Sequence, residues 1–178
     1  MPASRSDFYA VEDLLSADER AVRNTVRRFV DDEFLPLVRK HFADATFPTE
    51  LTPRIAELGC FGPTVPTEYG GAGLNSVAYG VMTQELERGD SGIRSFCSVQ
   101  GSLCMYPIHA FGSPAQKERW LPRMAAGQAI GCFGLTEPDF GSNPTGMLTR
   151  AESLPGGGFR LNGTKRWITN GCLADVAI

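Results

Sequence analysis

Apolar residues recur at helical spacing through the first two-thirds of the chain. Ser16-Ala17-Asp18-Glu19 has the form of a capping box, and Val22, Val26, Phe29 and Val30 follow on one face. The spacing predicts a helix that Pro36 must limit or kink. A shorter helix is expected after Pro48 and Thr49, through Ile55 and Leu58, with Gly59 able to close it. Asn75 can cap a third, running to about Arg88 with Gly89 after it. A fourth should span roughly Gly92 to Phe111, with Phe96, Val99, Leu103 and Tyr106 or Pro107 on its apolar face. Pro107 must kink that helix or end it early. Ser113-Pro114-Ala115-Gln116 reads as a second capping box, opening a helix that carries Trp120, Leu121 and Met124 and stops at Gly127.

Beyond Gly127 the helical period ceases. Short apolar runs between turn residues predict strands at 130–136, 147–153, 158–162, 164–169 and 174–178. Asn162-Gly163 is a two-residue hairpin signal. The expected fold class is α+β, with a helical N-terminal domain over 1–128 and the start of a β domain over 129–178. Residues 59–74 hold Gly59, Gly62, Pro63, Pro66, Gly70, Gly71 and Gly73 and read as a long ordered loop. Gly70-Gly71-Ala72-Gly73 is no dinucleotide fingerprint, because no strand feeds it and the spacing is wrong. The first ten residues lack periodicity and are expected to fray. Asp175-Val176-Ala177-Ile178 ends in mid-strand, which predicts the N-terminal portion of a longer polypeptide or a chain that needs a partner.

Composition narrows the function classes. With 178 residues, 42% of them hydrophobic and 21% charged, the chain can bury a core and suits one domain, or one and a half small ones. A net charge of −3 and no long Lys/Arg run argue against nucleic acid. Arg20, Arg23, Arg27 and Arg28 read as a solvated helix face. Cys60, Cys97, Cys104, Cys132 and Cys172 form no CxxC pair, and His41 and His109 are far apart, so no metal site is expected. Scattered cysteines in apolar contexts fit burial and a reducing compartment, cytoplasmic or matrix-like. No signal peptide or membrane span is visible.

The chemistry-bearing stretch runs from Gly131 to Gly171. Its first segment, GCFGLTEPDFGSN, puts Phe133, Gly134, Leu135 and Thr136 ahead of a Pro break and the small residues Gly141 and Ser142. Its second, NGTKRWITNG, puts Trp167, Ile168 and Thr169 at the end of an expected strand. The tryptophan offers an apolar plane, the threonines offer hydroxyls, and the small residues allow a flat polar ligand to approach.

These two segments resemble the flavin-contacting motifs of the acyl-CoA dehydrogenases, and the resemblance runs from about Ser16 to the last residue. Within the family the chain looks most like the glutaryl-CoA dehydrogenases, on ELERGDSGIRS (85–95), SVQGSL (98–103) and GCFGLTEP (131–138). The resemblance implies the family's fold, with the strands opening a β-barrel-like middle domain that is incomplete here. It implies FAD as cofactor, contacted by Phe133, Gly134, Leu135, Thr136, Gly141, Ser142, Trp167, Ile168 and Thr169. It makes Arg94 and Ser95 substrate residues, Arg94 receiving the distal carboxylate of a glutaryl chain, with Glu87 in its polar network and Ser142 near the acyl-CoA. Where family members often carry an acidic residue after this serine, Asn143 stands.

The implied reaction is α,β-dehydrogenation of an acyl thioester, with loss of carbon dioxide to crotonyl-CoA from a glutaryl chain. The family's base is a glutamate far downstream, and no residue of this chain matches its motif, so none is assigned. An electron-transfer flavoprotein as acceptor and a homotetramer are further implications. The alternatives are an enzyme for another acyl thioester, including a carrier-bound one, and a truncated, non-catalytic chain.

Overall fold

The structure, a computed structural model, describes residues 9–178. The expected fraying of the N-terminus falls mainly on residues 1–8, outside the described residues. A short helix α1 (Val11–Leu14) leads into α2 (Ala17–Phe29). The Ser16 capping box forms: Ser16 Oγ accepts the Glu19 N–H at 3.2 Å, and the Ser16 N–H donates to the Glu19 carboxylate at 2.8 Å.

Pro36 and Pro107 are met by the same device. α2 continues through a π-helical turn, Val30–Phe34, into α3 (Leu35–Asp44), where Pro36 is the second residue. Downstream, α6 (Ser91–Ser98) widens over Val99–Met105 and continues as α7 (Tyr106–Phe111), where Pro107 is again second. A proline has no N–H to donate and its ring crowds the carbonyl one turn back. A wider turn just upstream absorbs both defects without breaking the rod. The extra residue also advances the buried face. Leu103, expected inside, is 41% exposed, and of the alternatives Tyr106 or Pro107 the first is 55% exposed and the second half-buried, while Cys104, Met105 and Ile108 are buried.

Between these rods, α4 (Thr52–Glu57) closes at Gly59, whose φ of 72° is cheap only without a side chain. The following loop is ordered by its own backbone, with Ala72, Gly73 and Leu74 N–H groups donating to Gly62, Val65 and Pro63 carbonyls. α5 (Ser76–Gly89) is capped by Asn75, and α8 (Pro114–Ala125) by the Ser113–Gln116 box. α2 packs along α5, and α5 along α6. Val26, Phe29, Phe34, Met82, Leu86, Ile93 and Phe96 are buried between them. Each such side chain stabilises the fold by about 1.5–3 kcal/mol.

The arginines of α2 are not a simple solvated face. Arg27 and Arg88 both bind the Glu85 carboxylate, at 2.6 and 2.9 Å, and Glu85 is only 2% exposed. Burial pushes its carboxyl up, and the two guanidinium hydrogen bonds outweigh that and hold it down. Arg20 caps the carbonyls of Glu12 and Leu15, and Arg23 pairs with Glu12. Arg27 and Arg28 are both exposed, and Arg28 makes no ion pair among the described residues.

After α8 the chain turns at Gly127 (φ 69°) and enters β1 (Gly131–Cys132). β1 pairs in parallel with β4 (Val176–Ala177), Gly131 facing Val176. β2 (Arg150–Ser153) and β3 (Phe159–Asn162) form a separate antiparallel hairpin. Among the described residues no barrel closes. Three strand expectations change. The first strand stops at Cys132, the hairpin turns at 154–158 rather than at Asn162-Gly163, and 164–169 is not a strand. Gly163 serves a close approach instead: a Cβ there would lie 2.0 Å from Thr149 Oγ1 and 2.7 Å from Thr149 Cα. Four cysteines are buried as expected, and Cys172 is exposed.

Candidate functional site

The segment expected to be the fourth strand is a turn. Trp167 has φ 58° and Asn170 φ 66°, both left-handed. A bulky residue in that region is strained by about 1–3 kcal/mol and persists only where its surroundings over-determine it. The indole is 78% exposed, with the Arg166 guanidinium 4.5 Å from the ring centroid.

The backbone brings the two motifs side by side. The Arg166 N–H donates to the Thr136 carbonyl at 2.9 Å, and the Lys165 ammonium to the Leu135 carbonyl at 3.1 Å. Phe133, Gly134, Leu135, Thr136 and Ile168 are half-buried, and Thr169 is exposed. Neither Thr136 nor Thr169 spends its hydroxyl on a hydrogen bond among the described residues. The paired segments therefore offer an open aromatic face and two unengaged hydroxyls, which suits the apolar ring and polar edge of a flavin. Gly141 and Ser142 lie on the exposed loop beyond the first motif, and a Cβ on Gly141 would meet nothing within 4 Å.

Asn170 docks this pair on the helical half. Its side-chain amide donates to the Gly131 carbonyl at 3.2 Å and to the Phe96 carbonyl of α6 at 3.4 Å. A groove of about 350 Å³ runs between them, lined by Phe47, Gly92 and Phe96 on one side and Ile168, Thr169 and Cys172 on the other.

On the same helix, Arg94 and Ser95 are half-buried. Arg94 Nε donates to Glu87 at 2.6 Å and Nη1 to Ser98 Oγ at 3.3 Å, and Ser91 Oγ donates to the other Glu87 oxygen at 2.5 Å. The Arg94 hydrogen bond, then that of Ser91, holds the Glu87 carboxyl below its ordinary range. Arg94 Nη2 has no partner among the described residues and remains available to a carboxylate. Neither Arg94 nor Glu87 lines the groove, so the pair stands to one side of it.

Three residues that organise this region carry no chemical signal in the sequence. Glu137 is 4% exposed and accepts from the Leu148 and Thr149 N–H groups at 2.7 and 2.9 Å and from Lys165 at 3.0 Å. Gln100 is fully buried and bridges the helical half to β1. Asn170 sits in the quoted motif, where a left-handed asparagine is one of the few non-glycine options.

Two family models match the chain: acyl-CoA dehydrogenase, N-terminal domain, over residues 16–128, and acyl-CoA dehydrogenase, middle domain, over 132–178. The chain belongs to the acyl-CoA dehydrogenase family. Within that family it is 36% identical to the glutaryl-CoA dehydrogenase of Desulfococcus multivorans, covering 92% of this chain and 43% of the relative. It is 37% identical to the mitochondrial short-chain specific acyl-CoA dehydrogenase of Rattus norvegicus, covering 92% and 40%. A solved glutaryl-CoA dehydrogenase from Mycobacterium smegmatis, in complex with FADH2, superposes with a TM-score of 0.91 at 57% identity, over 95% of this chain and 43% of that one. The chain thus spans less than half the length of these acyl-CoA dehydrogenases, and the helical domain with opening middle-domain strands is their fold.

Proposed function

We propose that the full-length protein is an FAD-dependent dehydrogenase of acyl-CoA thioesters that prefers glutaryl-CoA. The observation that carries the preference is Arg94, held by Glu87 and Ser98 with Nη2 available, in a chain similar to glutaryl-CoA dehydrogenases. A glutaryl chain brings a second carboxylate into a pocket that also takes methylenes, and stripping water from that charge requires a fixed cation. Guanidinium supplies a planar, permanent charge with paired donors. Thr136, Trp167 and Thr169 would hold the flavin, Gly141 and Ser142 its pyrophosphate side and the acyl-CoA. FAD held there would supply the acceptor for the β-hydrogen, leaving as hydride, as the α-proton passes to a base. The C–C bond to the distal carboxylate would then break, its electron pair passing into the conjugated thioester, and uptake of a proton at the vacated carbon would give crotonyl-CoA and carbon dioxide, with an electron-transfer flavoprotein as acceptor and a tetramer as the assembly. The similarity to short-chain acyl-CoA dehydrogenases favours, as the second reading, a short acyl chain without a distal charge.

The test is the ratio of kcat/KM for glutaryl-CoA to that for butyryl-CoA in Arg94→Gln. Truncating one partner of a buried charge pair costs about 2–5 kcal/mol. The Arg94 side chain is 37% exposed, so the lower end applies. At 1.36 kcal/mol per factor of ten, the ratio should fall about 10- to 100-fold. An unchanged ratio removes the glutaryl preference and leaves the second reading.

A further inference from the structure

We propose that Lys165 and Glu137 form a positioning clasp that sets the spacing of the two motifs and the orientation of Trp167. The inference rests on the reading of those motifs as the flavin site, and it concerns residues that reading leaves unassigned. Glu137 follows Thr136 directly, and Lys165 stands two residues before Trp167. Their ion pair at 3.0 Å therefore ties the motifs beside the atoms that would face the cofactor.

The clasp joins three segments. The Glu137 carboxylate gathers the Leu148 and Thr149 N–H groups, the Lys165 ammonium also donates to the Leu135 carbonyl at 3.1 Å, and Met147 Sδ lies 3.8 Å from the same nitrogen. Behind it, Gly163 lets Thr149 approach at a distance that no side chain at 163 would allow. A carboxylate only 4% exposed needs such partners to stay charged, and here it has two amides and a cation. The other links between the motifs among the described residues are the Arg166 N–H to the Thr136 carbonyl, just before Trp167, and the Asn170 amide to the Gly131 carbonyl beyond it. The clasp adds the charged tie on the Thr136 side of the left-handed turn, where a strained residue needs its surroundings fixed.

The test uses Lys165→Met, which keeps the aliphatic stem, Lys165→Arg, and Glu137→Gln, all in the full-length protein. Two readouts separate positioning from general stability: FAD affinity with the flavin absorption spectrum, and hydrogen exchange over residues 164–169 in the cofactor-free protein. Lys165→Met should weaken FAD binding about 10- to 100-fold, the equivalent of a hydrogen bond to a charged group. Exchange at 164–169 should accelerate at least about tenfold while α5 and α6 keep wild-type protection. Lys165→Arg should recover part of both effects by restoring the cation. A folded Lys165→Met with unchanged exchange at 164–169 overturns the clasp, whatever the cofactor result. A wild-type protein that takes no FAD overturns the flavin reading, and the clasp is then judged by exchange alone.

Discussion

The Gly131 N–H donates to Gln100 Oε1 at 2.7 Å, so the first strand of the β half hangs from a side chain in the widened turn between α6 and α7. The same amide group donates through Nε2 to the Met124 and Ala129 carbonyls, at 3.0 and 2.8 Å. One buried glutamine thus satisfies three main-chain groups around the passage from α8 to β1. β1 can lie this close to the helix only because it begins with glycine: a Cβ on Gly131 would come within 2.7 Å of Cys104 Cβ.

Gln100→Leu should therefore destabilise the fold by about 2–4 kcal/mol, since stranding a buried donor or acceptor costs about 1–3 kcal/mol and the site relaxes only in part. Gln100→Glu keeps an acceptor for Gly131 but removes the donors to Met124 and Ala129. Chemical denaturation of both variants is the check, and a shift under about 0.5 kcal/mol for Gln100→Leu contradicts the bridging role.

Acid should act on Glu137. The neighbouring Thr149 side chain, then the Leu148 amide, bring its carboxyl down to about 2 from 4.5, although the Thr149 hydroxyl is buried without a well-formed hydrogen bond of its own. A depressed carboxyl contributes stability that is complete above its unfolded-state value and is lost as pH falls through the folded one. The stability difference between wild type and Glu137→Gln should hold above about pH 4.5 and shrink as pH drops toward about 2. Denaturation midpoints of the pair across that window decide it, and a gap that stays constant removes Glu137 as the cause.

Two helical glycines should respond in opposite directions. Gly80 faces open space on α5, so Gly80→Ala should stabilise by about 0.5–1 kcal/mol. Gly101 lies in the widened turn, where a Cβ would sit 2.7 Å from the Phe61 carbonyl oxygen, and Gly101→Ala should destabilise by about 1–3 kcal/mol. Melting curves that rank the two alike would place the crowding elsewhere.

Helix positions and caps were legible because they are local: Ser16, Asn75 and Ser113 each act within one turn of themselves. The widened turns at 30–34 and 99–105 were not, since a proline announces a defect without saying how the helix absorbs it. Hence an unbroken helical period points Leu103 inward, whereas Cys104 and Ile108 are the buried side chains. Beyond Gly127 local pattern decides less of the structure, for a physical reason. The apolar residues of 164–169 suit a strand, but Lys165 and Asn170 reach distant groups and bend the segment into a turn. The side-by-side placing of the segments that hold Thr136 and Trp167, through the Arg166 N–H, is carried in sequence only by the motifs, and Glu137 reads there as an ordinary turn residue.

The parallel pairing of β1 with β4 also sets an order of events. The Ile130 N–H and the Asp175 carboxylate that begin this pairing are 45 residues apart in sequence. The α5–α6 contacts, by contrast, form between consecutive helices. Closing a long loop must precede any reward from the strands it joins, and local helical contacts form sooner. Helical signal should accordingly return early in refolding, and the left-handed turn at Trp167 should be among the last features to acquire its native geometry. During synthesis the helical half would stand assembled while its motif-bearing edge still waited for Val176 to arrive.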